Sequence, residues 1–260
     1  MLKKRLIGVI TVKNDWAVQS FGYSNYLPLG KPECLIENLD RWGVDEILIQ
    51  VIDRSANNKG PDFNLIKRLG KLGLKTPLIY SGGIRSLSDG LNIIRLGADR
   101  IAVDFLLHKD LSVLKELSKE LGAQAIIASI PISIYKNKIT WLNYITKNSE
   151  TFPESVLSLL KSKVISEAML IDWSNEGAFK GFDYRLIDLF PLNNIPLILF
   201  GGISEKLQIK KLLNLTEVSA IAIGNFLSYK EHSVQSYKEA LVNLSLRQAY
   251  YESKSNIASN

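Results

Sequence analysis

The sequence predicts a single (β/α)8 barrel, an α/β fold built from two related half-barrels. Three observations carry that prediction. Short β-branched runs alternate with longer amphipathic stretches, the pattern of βα units around a parallel sheet. Eight strand candidates fit within 260 residues, an ordinary length for one α/β barrel. Two motifs also recur at a long period. Pro77-Leu78-Ile79-Tyr80-Ser81-Gly82-Gly83-Ile84 returns as Pro196-Leu197-Ile198-Leu199-Phe200-Gly201-Gly202-Ile203, and Lys59-Gly60-Pro61-Asp62 returns as Lys180-Gly181-Phe182-Asp183. Offsets of 119 and 121 residues, the second of which also places Glu46 on Glu167, mark duplicated halves rather than a solenoid of short units.

The strands are expected at Arg5–Thr11, Glu46–Ile52, Pro77–Ser81, Arg100–Asp104, Gln124–Ile130, Glu167–Trp173, Pro196–Phe200 and Ala220–Gly224. Apolar residues spaced by three and four predict helices near Ser86–Leu96, Ser112–Leu121 and Glu205–Leu215. The stretch from Asn14 to Pro32 is a long loop carrying Trp16, Phe21, Tyr23 and Tyr26. Its aromatic residues suit either closure on a flat or sugar-like ring or permanent packing on the barrel. No domain boundary is needed, so residues 1–252 form one barrel, and the Ser/Asn-rich stretch 253–260 reads as a frayed tail.

Composition narrows the function. A 46% hydrophobic and 22% charged chain is globular, which excludes disorder, collagen and coiled coil. The single cysteine, Cys34, excludes an internal disulfide and a multi-cysteine zinc site. With only His108 and His232, neither a metal nor another cofactor is expected, and His108 reads as a surface or helix-start residue. The net charge of +6 is spread in ones and twos, with no run of five basic residues and no aromatic-basic ladder, so nucleic acid is not an expected partner. The first apolar run stops at Ile10, too short for a secretory segment, and no run reaches membrane-span length. A cytoplasmic protein without membrane contact is the expectation.

Barrel active sites lie at the C-terminal ends of the strands. Gly82-Gly83, Gly201-Gly202 and Gly224-Asn225 fall at that rim, where glycine lets backbone N–H groups approach an anion. They read as phosphate sites, with tight βα turns as the plain alternative. Two sites on opposite sides of the rim suit a ligand with a phosphate at each end, and Lys13 reads as a charge that positions it.

The chain resembles the cyclase subunit (HisF) of imidazole-glycerol-phosphate synthase along nearly its whole length. The match rests on Lys4-Arg5-Leu6-Ile7, Val12-Lys13, Gly43-Val44-Asp45-Glu46, Ser81-Gly82-Gly83-Ile84, Leu96-Gly97-Ala98-Asp99-Arg100, Gly122-Ala123-Gln124-Ala125, and Gly177 with Lys180-Gly181-Phe182-Asp183. The resemblance implies a half-barrel-duplicated fold, a HisH-like glutaminase partner forming a heterodimer at the N-terminal face, and ammonia travelling through the barrel to a phosphorylated small molecule at the top. It further implies that Arg5, Glu46, Arg100 and Glu167, at four symmetric strand starts, form a salt-bridged ammonia gate. Arginine at position 100 stands where the family has lysine. Asp99 and Gln124 match glutaminase-interface positions, and Gly177 joins the phosphate-binding glycines.

The top departs from the family. Its two catalytic aspartates fall on Thr11 and Pro131, neither of which offers an acid or base near neutral pH. Asp53 and Glu176 are candidate substitutes. Asp104 replaces a phosphate-binding asparagine, which would repel phosphate unless Lys13 or His108 offsets it. The pattern resembles divergent paralogues associated with amidotransferases that act on surface-polysaccharide sugars. The expectation is therefore an accessory barrel that docks a glutaminase and passes ammonia to a sugar amidotransferase. The alternative is a working cyclase in histidine biosynthesis.

Overall fold

A computed structural model describes residues 4–192, 194–229 and 232–241. Twelve strands occur among them: β1 (Arg5–Lys13), β2 (Trp16–Phe21), β3 (Asn25–Gly30), β4 (Glu46–Val51), β5 (Leu78–Ser81), β6 (Arg100–Val103), β7 (Ile126–Tyr135), β8 (Lys138–Asn143), β9 (Asn148–Glu150), β10 (Glu167–Asp172), β11 (Leu197–Phe200) and β12 (Val218–Ile223). The helices are α1 (Pro32–Trp42), α2 (Asp53–Ala56), α3 (Phe63–Gly70), α4 (Leu87–Arg95), α5 (Phe105–Lys109), α6 (Leu111–Leu121), α7 (Glu154–Lys161), α8 (Arg185–Asp188), α9 (Lys206–Leu213) and α10 (Ser233–Glu239). None of the described helices is long and apolar enough to cross a membrane.

Eight strands pair in parallel in the order β1-β4-β5-β6-β7-β10-β11-β12, and β12 returns to β1. The sheet is thus a closed barrel. Each strand is buried on both faces, as a parallel sheet wrapped by helices requires. Alternate residues form two separate apolar clusters. Leu6, Ile10 and Val12 of β1 pack outward under the helices, while Ile7 and Val9 join an inner cluster with Leu48, Ala102, Met169 and Phe200. The helices follow from amphipathic spacing and local caps. Ser86 and Asp89 form a reciprocal capping box at α4, and Asp62 caps α3 through the Leu65 amide.

The duplication is visible in the backbone. Gly83 and Gly202 have nearly equal dihedrals, φ +72° and +70°, and each lies against the glycine of the second repeated motif. A Cβ at Gly83 would come within 2.6 Å of the Gly60 carbonyl, and one at Gly202 within 2.9 Å of the Gly181 oxygen. Gly82 and Gly201 press likewise on the carbonyls of Val51 and Asp172. The two motifs therefore recur together because they touch each other in each half.

The Asn14–Pro32 stretch is a hairpin, not an irregular loop. β2 pairs antiparallel with β1 and β3 with β2, after a turn whose residues Asn14 and Asp15 both have positive φ, as a two-residue hairpin turn needs. A second hairpin that the periodicity did not reveal, β7–β8 with β9 beyond it, follows the fifth barrel strand through Lys136 and Asn137, also at positive φ. Gln124 does not begin that strand: Ala123–Ala125 form a 3-10 turn and β7 starts at Ile126. The stretch 253–260 lies outside the described residues.

Gly83→Ala is expected to lower stability by about 2 kcal/mol, from positive φ plus backbone overlap. Gly60→Ala, whose Cβ would meet nothing within 4 Å, should stay within about 0.5 kcal/mol of wild type. Urea unfolding of both variants checks the contrast.

Candidate functional site

At the N-terminal end of the barrel, Arg5, Glu46, Arg100 and Glu167 all point at the axis, two residues before the inner-cluster members Ile7, Leu48, Ala102 and Met169. They form a closed ring. Arg100 Nη1 lies 3.1 Å from Glu46 and its Nη2 2.7 Å from Glu167. Arg5 pairs with Glu167 through Nη2 and lies 3.5 Å from Glu46 through Nε. The fork geometry of arginine lets each base bridge both acids. The ring is less symmetric than the sequence suggests. Its acids are repeat counterparts, but in β12 the inward position two residues before Ala222, equivalent to Arg100 before Ala102, carries Ala220, and the neighbouring Ser219 hydroxyl donates to Glu167 at 2.5 Å.

Electrostatics separates the two acids. Burial pushes the Glu46 carboxyl above its ordinary value, only partly offset by Arg5 and Arg100. Burial also opposes charge on Glu167, but Arg5, Arg100 and the Ser219 hydroxyl together outweigh it and hold its pKa below the ordinary value. Asp99 and Gln124 stand beside the ring, in the same concavity of about 590 Å³ on the N-terminal face. Asp99 accepts the Leu78 amide at 2.7 Å, and the Gln124 carbonyl accepts Arg100 Nε at 2.9 Å.

Above the ring the axis is apolar, and polar groups return only at the mouth. A cavity of about 270 Å³ there is lined by Gln50, Ser81, Ser129, Pro131, Asp104, Tyr23, Tyr144 and Gly82-Gly83, with Lys147 at its edge. Thr11, buried in β1, follows Val9 on the inner face. Lys13 ends β1 with its ammonium 3.6 Å from the Tyr26 ring centroid, a cation–π contact.

Several of the remaining polar residues of the rim hold the first hairpin. Glu176 accepts the Ser20 hydroxyl at 3.0 Å and the Tyr23 amide at 3.2 Å, while its backbone carbonyl accepts the Gly22 amide at 2.9 Å. Burial raises the Glu176 pKa against those bonds. The Asn225 side chain pairs with both backbone groups of Ser20, and Gly177 lies against Ser20 and Phe21 with no room for a Cβ. Asp53 accepts the Asn14 amide at 3.0 Å. Asp172 is taken up by Asn175 and the Asp183 amide. A Cβ at Gly224 would meet Phe200 and the Val9 carbonyl at ordinary contact distance.

The duplication extends to residues that periodicity did not single out. An offset of 121 residues places Tyr23 on Tyr144, Ser55 on Glu176 and Asp104 on Asn225. Each hairpin thus sends a tyrosine to the mouth and fastens on the opposite half. Tyr23 donates to Gln50 at 3.1 Å, and Tyr144 pairs with Ser55. His108, expected at the surface or at a helix start, lies in the short helix α5, and its side chain is covered: the ring stacks 3.8 Å from Trp141 of the second hairpin, and Nε2 lies 3.2 Å from Asp104. That hairpin, invisible to strand counting, supplies the cover.

Glu167→Gln is expected to cost about 3 kcal/mol at pH 7, because two arginines lose their shared anion. The folded pKa of Glu167 lies below the unfolded value. Its ionisation therefore stabilises the fold above the unfolded pKa, and that stabilisation disappears as pH falls through the folded one. Urea unfolding should show the gap between wild type and variant narrowing below about pH 4.

Comparison with known proteins agrees with this architecture. The model of the family described as "Histidine biosynthesis protein" matches residues 5–233. A protein of Vibrio vulnificus, provisionally named imidazole glycerol phosphate synthase subunit hisF2, is 28% identical over 250 residues, covering 95% of this chain and 91% of its own. A Campylobacter jejuni protein with the same provisional name is 28% identical over 245 residues, covering 93% and 96%. The imidazole glycerol phosphate synthase subunit HisF of Hydrogenobaculum is 27% identical over 248 residues, again 93% and 96%. With the duplicated barrel, the matched span and full-length relatives in agreement, this chain belongs to the histidine biosynthesis protein family, as a HisF-like barrel.

Proposed function

We propose that this chain is the barrel subunit of a glutamine amidotransferase complex, which docks a glutaminase at its N-terminal face and conducts ammonia to the mouth. The observation that carries the reading is the Arg5–Glu46–Arg100–Glu167 ring standing across the start of an apolar axis. Ion pairs can part and re-form around a small neutral molecule, and an apolar passage favours ammonia over ammonium because it offers no solvation for charge. Asp99 and Gln124, beside the ring, belong to the docking face in this reading.

The nitrogen acceptor lies outside this barrel. Cyclisation needs a positioned acid and base, and the two strand ends where the family keeps aspartates carry Thr11 and Pro131. Glu176 holds the hairpin, Asp53 gives one oxygen to its first turn, and neither lines the mouth cavity, so neither is placed to replace them. We assign the acceptor to a separate sugar amidotransferase.

Two assays test this. With its glutaminase partner, the barrel is expected to raise glutamate release from glutamine at least about tenfold, the scale of a coupling free energy near 1.4 kcal/mol. With excess ammonium and the bisphosphorylated imidazole precursor, the barrel alone is expected to give no cyclised product. Turnover at about 1 s⁻¹ or faster, the ordinary enzymatic range, would overturn the reading in favour of a working cyclase.

A further inference from the structure

Asp104 is the mouth's exceptional polar residue. It sits at the start of α5, where an aspartate ordinarily caps the helix, yet its side chain makes no capping hydrogen bond. Its Oδ1 is buried, and the one group that approaches it, His108 Nε2, is poorly aligned for a hydrogen bond. The nearest titratable side chain is His108, 3.2 Å away and held flat against Trp141. Its repeat counterpart Asn225 is fully engaged by the first hairpin. Asp104 instead lines the mouth cavity with the hydroxyl residues Ser81 and Ser129.

Its place along the axis matters as much. Arg100, Ala102 and Asp104 occupy successive inward positions of one strand and its end, so Asp104 lies about 13 Å along the strand from the ring at 3.3 Å per residue. Between them lies the small Ala102. Asp104 is the first ionisable group on that wall beyond the ring. A buried carboxylate short of donors favours a ligand that brings several N–H groups and a positive charge. It disfavours phosphate, since the other ionic group of the cavity, Lys147, is exposed at the edge. No described cluster of three metal-ligating side chains competes for the place.

We propose that Asp104 and its neighbouring hydroxyls form a binding site for a small ammonium cation at the barrel mouth. The inference rests on the ammonia-conducting reading and deepens it. Ammonia that takes up a proton from solvent at the mouth is held there as ammonium, its N–H groups donating to the Asp104 carboxylate and the neighbouring hydroxyl oxygens. Loss of that proton to water frees neutral ammonia.

The test is a titration of the full-length chain with methylammonium chloride, with sodium chloride at equal ionic strength as the control. The readout is NMR of the two histidine rings at constant pH. A saturable shift of His108, with His232 unmoved, is expected. Asp104→Asn should weaken binding at least about tenfold, the scale of a hydrogen bond to a charged group. Lys147→Met, which removes a like charge from the exposed edge, should tighten it. A His108 shift no larger than with sodium chloride, or equal affinity in Asp104→Asn, would overturn the proposal. So would a saturable response to inorganic phosphate in place of methylammonium. Because no glutaminase is present, such failure is separable from failure of the conducting role, which is read by glutaminase activation.

Discussion

In a closed eight-stranded barrel every second side chain must point at the axis, and that alternation decides what this molecule can do. It turns Arg5, Glu46, Arg100 and Glu167 inward at one end, where none can be left unpaired. It places aliphatic and alanine side chains in the layers above, and brings Gln50, Ser81, Ser129 and Asp104 together at the other end. A one-residue slip in any strand would exchange these faces with the helix-packing ones. The helices outside fix the register, so the axial chemistry depends on packing that never touches it.

The two hairpins build the mouth on the same logic of duplication. Each extends a barrel strand through a positive-φ turn, crosses the rim and fastens on the other half, one at Glu176 and Asn225, the other at Ser55 and the Asp104–His108 pair. The halves have diverged at these fastening points. In one, a carboxylate and an amide are consumed by backbone groups of the hairpin. In the other, a hydroxyl and an aromatic stack do the fastening, and the Asp104 carboxylate is left facing the mouth cavity beside His108. Divergence between equivalent positions thus produces chemical asymmetry in a symmetric scaffold.

Much of this was legible in the sequence. Alternating runs and the 119- and 121-residue offsets specify the barrel, and charges at four strand starts specify the ring. The hairpins were not legible, because β2–β3 and β8–β9 are short, half exposed and polar enough to lack a clear two-residue period. The covering of His108 was hidden for the same reason: Trp141, which stacks on it, lies on a hairpin that strand counting did not find. The consumption of Glu176 and Asn225 depends on contacts across more than 150 residues, which local pattern does not encode. The offset placing Tyr23 on Tyr144 was present throughout and points to the paired mouth once the repeat is followed beyond its two obvious motifs.

The central claim is that ammonia crosses this barrel along its axis and is not released to solvent on the way. The direct measurement is isotope competition in a complex of the barrel with the proposed glutaminase and sugar amidotransferase, supplied with glutamine labelled by ¹⁵N at the side-chain amide and with excess unlabelled ammonium in the medium. An axial passage predicts aminated product carrying ¹⁵N with little dilution. Product diluted in proportion to the unlabelled ammonium would contradict it and leave the charged ring as a structural closure of the barrel.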